Sequence, residues 1–277
     1  MNTTLRTLAL AAATGLAMAS AGAATVSIPQ SALNASPGVY TPGGYYTNDI
    51  GTNIVTTGGG NAANIGQADG RNDDGFMQLN LGFDFSFFGT TYNSLYINNN
   101  GNVSFGGGIS AYIPSGPTGA DSPVISPYFS DVDTRASASG VVHYKLAANE
   151  LVVTWDNVGY YDSNGAPLNS FQLVLRSDAF LVPVGEGKIG FFYENMLWED
   201  TDTSEVAAVG FGDGLGNAEV LQGSTEDGLF QALNDKYVWF DANLDVVDPS
   251  DVPEPTTLAL ALAALGAAGF SARRRES

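Results

Sequence analysis

Apolar residues alternate with small or polar ones through Leu79-Asn80-Leu81-Gly82-Phe83-Asp84-Phe85-Ser86-Phe87, which predicts a strand with Leu79, Leu81, Phe83, Phe85 and Phe87 on one face. A face that apolar belongs in a core. Two further β-prone runs, 92–99 and 102–105, meet at Asn100-Gly101, and both turn residues tolerate positive φ, so a hairpin is expected there. Strands are also predicted at 140–146, 150–160, 170–177, 188–194, 206–211 and 236–240. Within them Phe171, Leu173 and Leu175, then Ile189, Phe191 and Tyr193, fall at alternate positions. Between residues 75 and 241 no window carries a long helical stripe, so the expected class is all-β, with an antiparallel sandwich-like domain over 76–241. Residues 25–75 are rich in Gly, Asn and Thr, as in Thr56-Thr57-Gly58-Gly59-Gly60-Asn61, and predict a partly looped region in which 36–63 is mostly loop with some strand. Residues 242–251 include Asp245, Asp248 and Asp251 and no basic residue, which reads as an acidic linker.

Both ends depart from this pattern. Arg6 precedes an apolar stretch from Leu8 to Ala19, and Ala21-Gly22-Ala23-Ala24 offers a small-residue cleavage site, so residues 1–24 read as an export signal peptide. At the other end, over 252–277, come Val252-Pro253-Glu254-Pro255, an uncharged apolar run over 256–270 and then Arg273-Arg274-Arg275. A helix over that run is short for a membrane span, reaching about 22 Å against a hydrocarbon core of roughly 30 Å. The arginines favour the cytoplasmic side, and Pro255 keeps the helix from running back into the body. This order of parts resembles the PEP-CTERM sorting signal of Gram-negative bacteria, with a tail anchor as the alternative. The resemblance implies transient anchoring in the inner membrane and processing near Pro253-Glu254-Pro255 by an exosortase-type enzyme. Delivery to the cell surface or extracellular matrix would follow.

Composition narrows the partners. Cysteine is absent, so the body relies on its core, or on core plus ions, in place of disulfides. Without Arg6, Arg273, Arg274, Arg275 and Glu276, 28 acidic residues face 6 basic ones, a formal charge of −22. A surface that negative repels phosphates, which excludes nucleic acid and disfavours anionic lipid. Divalent cations, basic proteins and neutral polysaccharide remain. The 34 glycines, scattered among aromatic and β-branched residues, fit many tight turns between short strands.

Several blocks together resemble the nidogen-like extracellular domain. They are Phe88-Gly89-Thr90-Thr91-Tyr92, the run from Leu95 to Phe105, Ile125-Ser126-Pro127-Tyr128-Phe129-Ser130-Asp131-Val132-Asp133-Thr134-Arg135, the run from Val153 to Tyr161, Asn169 to Leu175, and Ala208 to Gly214. Tyr128-Phe129-Ser130 stands where the family often carries tryptophan and alanine. The resemblance implies an extracellular, non-enzymatic module associated with matrix or adhesion, and it supplies no catalytic residues.

The candidate chemistry starts at Asp131-Val132-Asp133-Thr134. Asp131 and Asp133 share a face of an extended segment and, with loop carbonyls, offer hard oxygen ligands for Ca²⁺; alternatively they accept hydrogen bonds from turn N–H groups and Arg135. The acidic loop Asp69-Gly70-Arg71-Asn72-Asp73-Asp74-Gly75 lacks the ligand spacing of an EF-hand and reads as an ordinary turn. Tyr160, Tyr161 and Trp198, close to turn residues, are candidates for stacking on sugar rings, which makes a carbohydrate-binding module for exopolysaccharide the second reading. A glycoside hydrolase would need paired carboxylates, for which Glu150, Asp156, Glu194, Glu199 and Asp200 are available. With His143 as the one histidine and no cysteine, nucleophilic triads and zinc sites fail on inventory.

Overall fold

The computed structural model describes residues 23–36, 39–41, 43–56, 68–112, 115–199 and 206–249. Most of the export signal, the sorting residues from Val252 to Pro255, the expected helix over 256–270 and the terminal arginines lie outside them. Among the described residues no helix is long and apolar enough to cross a membrane.

The strands, in chain order, are β1 (Thr25–Ile28), β2 (Asn34–Ala35), β3 (Asn53–Ile54), β4 (Phe76–Phe87), β5 (Thr90–Asn98), β6 (Asn102–Ser104), β7 (Pro123–Phe129) and β8 (Val142–Leu146). They continue with β9 (Glu150–Tyr160), β10 (Asn164–Arg176), β11 (Ile189–Asn195), β12 (Ala208–Asp213), β13 (Ala218–Leu221), β14 (Lys236–Phe240) and β15 (Val246–Val247). One short helix, α1 (Leu229–Leu233), precedes β14. The strands form two sheets, ordered β1-β13-β12-β7-β6-β5-β4 and β15-β14-β11-β10-β9-β8-β3, with β2 also on β14. Pairing is antiparallel except between β1 and β13.

The alternating phenylalanines explain how the sheets meet. Phe85 and Phe87 of β4 stack around Phe105, while Phe211 of β12 lies 5.4 Å from Phe191 of β11 and 4.8 Å from Phe240 of β14. The two inner faces thus share one apolar core, with Trp155 fully buried in it and stacked at 5.0 Å on Phe171.

The glycine-rich stretch before β4 is built into this body. β1 extends the first sheet beside β13, and β2 and β3 pair with β14 and β8 in the second. Tyr40 and Tyr46 cover the outer face of the second sheet, against Phe192, Tyr237 and Trp239. The Trp239 indole N–H donates to the Tyr40 hydroxyl at 2.7 Å. Within the acidic stretch after β14, Val246–Val247 forms β15 on that strand.

At one end of the sandwich the start of β4, the end of β5, the start of β6 and the end of β7 come together. The hairpin turn there is Asn99-Asn100-Gly101, and Gly101 has φ +76° with the Tyr128 carbonyl oxygen 1.7 Å from where a Cβ would sit. Only glycine fits that approach. Asn99 N–H donates to the Gly75 carbonyl at 2.8 Å and Ser130 N–H to the Asn100 carbonyl at 3.3 Å, so three turns are locked to one another.

Candidate functional site

These three turns gather acidic residues that are far apart in the chain. Asp73 and Asp74 precede β4, Asp131 follows β7, and one oxygen from each carboxylate lies within 4.8 Å of the others. Asp73 and Asp131 are buried and Asp74 is partly so. Asp74 has φ +60°, a conformation that Asp and Asn tolerate better than most residues, and it points this turn into the cluster. Burial pushes Asp73 up to about 7, with the neighbouring Asp133 and Asp74 adding to the rise and Arg135 opposing it. Asp74 is raised by burial as well.

Asp133 has a different task. Its carboxylate takes two hydrogen bonds from the Arg135 Nε, at 2.9 and 3.0 Å, one from Arg135 Nη2 at 2.5 Å, and one from the Ser163 backbone N–H at 2.8 Å. Arg135 also reaches Asp73 at 2.8 Å and Asp162 at 3.7 Å. Hydrogen bonding to Asp133 is the first cause of a raised Arg135 pKa. Of the pair expected from sequence to face one ion, Asp131 sits with Asp73 and Asp74, and Asp133 anchors the arginine. Val132 and Asp133 form isolated antiparallel bridges to Tyr160 and Asp73, which tie this segment to the end of β9 and to the turn before β4.

The cluster also contains groups that sequence reasoning missed. Asn99 and Asn100 are fully buried, and their turn was legible only as a hairpin signal. Asn100 Nδ2 donates to Asp74 Oδ1 and to the Ala111 carbonyl, both at 2.9 Å. Asn99 Nδ2 donates to the Val132 carbonyl, and the Asn99 carbonyl accepts the Trp155 indole N–H at 3.0 Å. The Oδ1 atoms of both asparagines, Asp73 Oδ1 and Ser130 Oγ are buried without a hydrogen-bond partner. A guanidinium clamps the rim beneath, where Arg71 Nη1 donates to the carbonyls of Thr134, Ala136 and Ser139 at 2.7, 2.5 and 3.0 Å.

The aromatic candidates lie nearby. Tyr160 and Trp198 line an open depression of about 510 Å³ with Leu197, Glu199, Asp227 and Phe230. Trp198 is 4% exposed, its indole N–H donates to the Val158 carbonyl at 3.1 Å, and its ring packs on Tyr160 and Tyr128, which leaves little face for a ligand. Tyr161 is 38% exposed and does not line the depression. The carboxylates available for glycoside hydrolysis are dispersed among structural partners. Glu150 accepts from Arg176, Asp156 from the Tyr45 hydroxyl, and Glu199 from the backbone N–H groups of Gly228 and Phe230 that open α1. Burial, then Asp156, raises Glu194, but neither Glu194 nor Asp156 lines the depression; Asp200 lies outside the described residues.

Comparison with known proteins agrees with this architecture. A family model described as NIDO related matches residues 45–237, and a PEP-CTERM protein-sorting motif matches residues 251–275. Nidogen of Drosophila melanogaster is 28% identical over 196 residues, covering 59% of this chain and 13% of nidogen. Alpha-tectorin of Homo sapiens is 31% identical over 134 residues, covering 38% of this chain and 6% of the tectorin; the Gallus gallus protein is 28% identical over 155 residues, covering 46% and 7%. The chain thus spans only a small fraction of the length of the relatives it matches. No solved structure matches it. A NIDO-related body joined to this motif marks an exported protein of extracellular-matrix type, and the motif implies processing by an exosortase-type enzyme. The chain belongs to the NIDO-related family and carries a PEP-CTERM protein-sorting motif.

Proposed function

We propose that the chain works outside the cell as a non-catalytic surface or matrix module, released from the inner membrane by cleavage near Pro253-Glu254-Pro255 and retained by adhesion to matrix protein or extracellular polysaccharide. The observation that carries this reading is the presence, on one chain, of a NIDO-related match over 45–237 and a sorting motif over 251–275. The formal charge of the exported part supports it, since such a body stays soluble and turns away from nucleic acid and anionic lipid. So does the engagement of Glu150, Asp156 and Glu199 in hydrogen bonds that hold the fold. The experiment is fractionation of the native host carrying an internally tagged chain. A mature form without the C-terminal apolar segment should be found in the surface or matrix fraction; a full-length form confined to the cytosol would contradict the proposal.

A further inference from the structure

The acidic end brings three carboxylates from two distant segments of the chain together. Asp73, Asp74 and Asp131 present carboxylate oxygens within 4.8 Å of one another, and the guanidinium that reaches Asp73 is shared with Asp133 and Asp162. Carboxylates alone would not define a site, because acidic clusters are common on acidic proteins.

The asparagines supply the second observation. Both amide hydrogens of Asn100 are spent on Asp74 Oδ1 and the Ala111 carbonyl. Turning that amide over would set oxygen against oxygen twice, so its orientation is fixed and its Oδ1 is left buried without a donor. Asn99 is held the same way by the Val132 carbonyl, and its Oδ1 is also buried without a donor. The two residues lie between the segment that carries Asp73 and Asp74 and the segment that carries Asp131, bonded to Gly75 on one side and to Ser130 and Val132 on the other. Ser130 Oγ adds another buried, unpartnered oxygen. Five unpartnered groups thus lie on the turns that carry the carboxylates, four of them oxygens and one the Asn72 amide nitrogen, and a set so weighted to oxygen fits a cation.

We propose that this end of the sandwich is a calcium site, with Asp73, Asp74 and Asp131 as the anionic ligands and the side-chain carbonyls of Asn99 and Asn100 as neutral ones. The donor set is all oxygen, carboxylate plus amide, which suits a hard cation and excludes the thiolate and imidazole preferences of zinc. Its irregular placement on three turns suits the 6–8 flexible oxygen positions of Ca²⁺ more than the strict octahedron of Mg²⁺. The ion would tie the starts of β4 and β6 to the ends of β5 and β7. This site does not depend on the matrix reading: a chain that binds calcium could still fail the fractionation experiment, and the reverse.

The test is calcium titration of the full chain, purified in mild detergent and stripped with EDTA, followed by calorimetry and by thermal melting. One binding event per chain is expected, with half-saturation at roughly 10⁻⁴–10⁻³ M as in extracellular modules, together with a raised melting temperature. Asp74→Asn keeps the φ +60° conformation comfortable and the Asn100 hydrogen bond possible, so its calcium-free melting should match the parent while binding weakens at least about tenfold through the lost ligand charge. Terbium luminescence excited through tryptophan gives a readout independent of stability, since the Trp155 indole bonds the Asn99 carbonyl; the parent should sensitise the ion, and Asp74→Asn should need at least about tenfold more terbium for the same signal. No calcium heat and no melting shift in the parent would overturn the proposal. So would an equal response to magnesium, or undiminished binding by Asp74→Asn.

Discussion

Arg176 and the Asp73-Asp74-Asp131 cluster are both charges taken out of water, and the chain treats them differently. Arg176 is fully buried on the second sheet, yet every side of it is met from within: Glu150 at 3.0 Å, Glu186 at 2.5 Å, the Tyr46 hydroxyl at 3.0 Å, the Gly187 carbonyl at 2.9 Å and the Trp239 ring at 4.4 Å. One cation faces two anions and an aromatic plane. At the acidic end the balance is reversed, with Arg135 divided among Asp73, Asp133 and Asp162, while Asp74 accepts a hydrogen bond from the neutral Asn100 amide. Buried charge is tolerable when its counter-charge is already in place. The first region is complete as folded, and the second is shaped for an ion supplied by the surroundings.

The largest expected effect comes from removing the cation that the chain supplies. Arg176→Met leaves Glu150 and Glu186 facing an apolar pocket and should cost about 3–5 kcal/mol in urea unfolding, equally with calcium and with EDTA. A loss that calcium restores would mean that the two regions are not independent. Gly101→Ala is the smaller counterpart at the other end. Its Cβ would meet the Tyr128 carbonyl in a backbone conformation that alanine resists, so a loss of more than about 1 kcal/mol is expected. Because Gly101 adjoins Asn100, the same variant should also shrink the calcium-dependent part of the melting shift; a variant that melts early but keeps that shift in full would separate the turn from the site.

How much of this was legible in the sequence follows from how local each signal is. The alternation at Leu81, Phe83, Phe85 and Phe87 named a buried strand face because side-chain period alone decides it, and Glu150–Tyr160 and Lys236–Phe240 were read with the bounds they have. The Asn-Gly signal marked the turn at Gly101 through its positive φ. The strands between 25 and 54 left a fainter trace, since the sequence predicts some strand within 36–63 but fixes no position for it. β1, β2 and β3 are short and find partners about 90 to 200 positions further along the chain, so no local spacing records them. The site was half visible for the same reason. Asp131 was singled out by its neighbour Asp133, but Asp73 and Asp74 come to it by topology, and Asn99 and Asn100 looked like turn residues because that is also what they are.

Hydrogen–deuterium exchange on the full chain, with calcium and with EDTA, compares the two regions in one experiment. Calcium is expected to slow exchange in residues 72–75, 98–101 and 130–132 and to leave the strands around Arg176 unchanged. Exchange that is indifferent to calcium in those three turns, or protection that appears around Arg176 instead, would contradict the account.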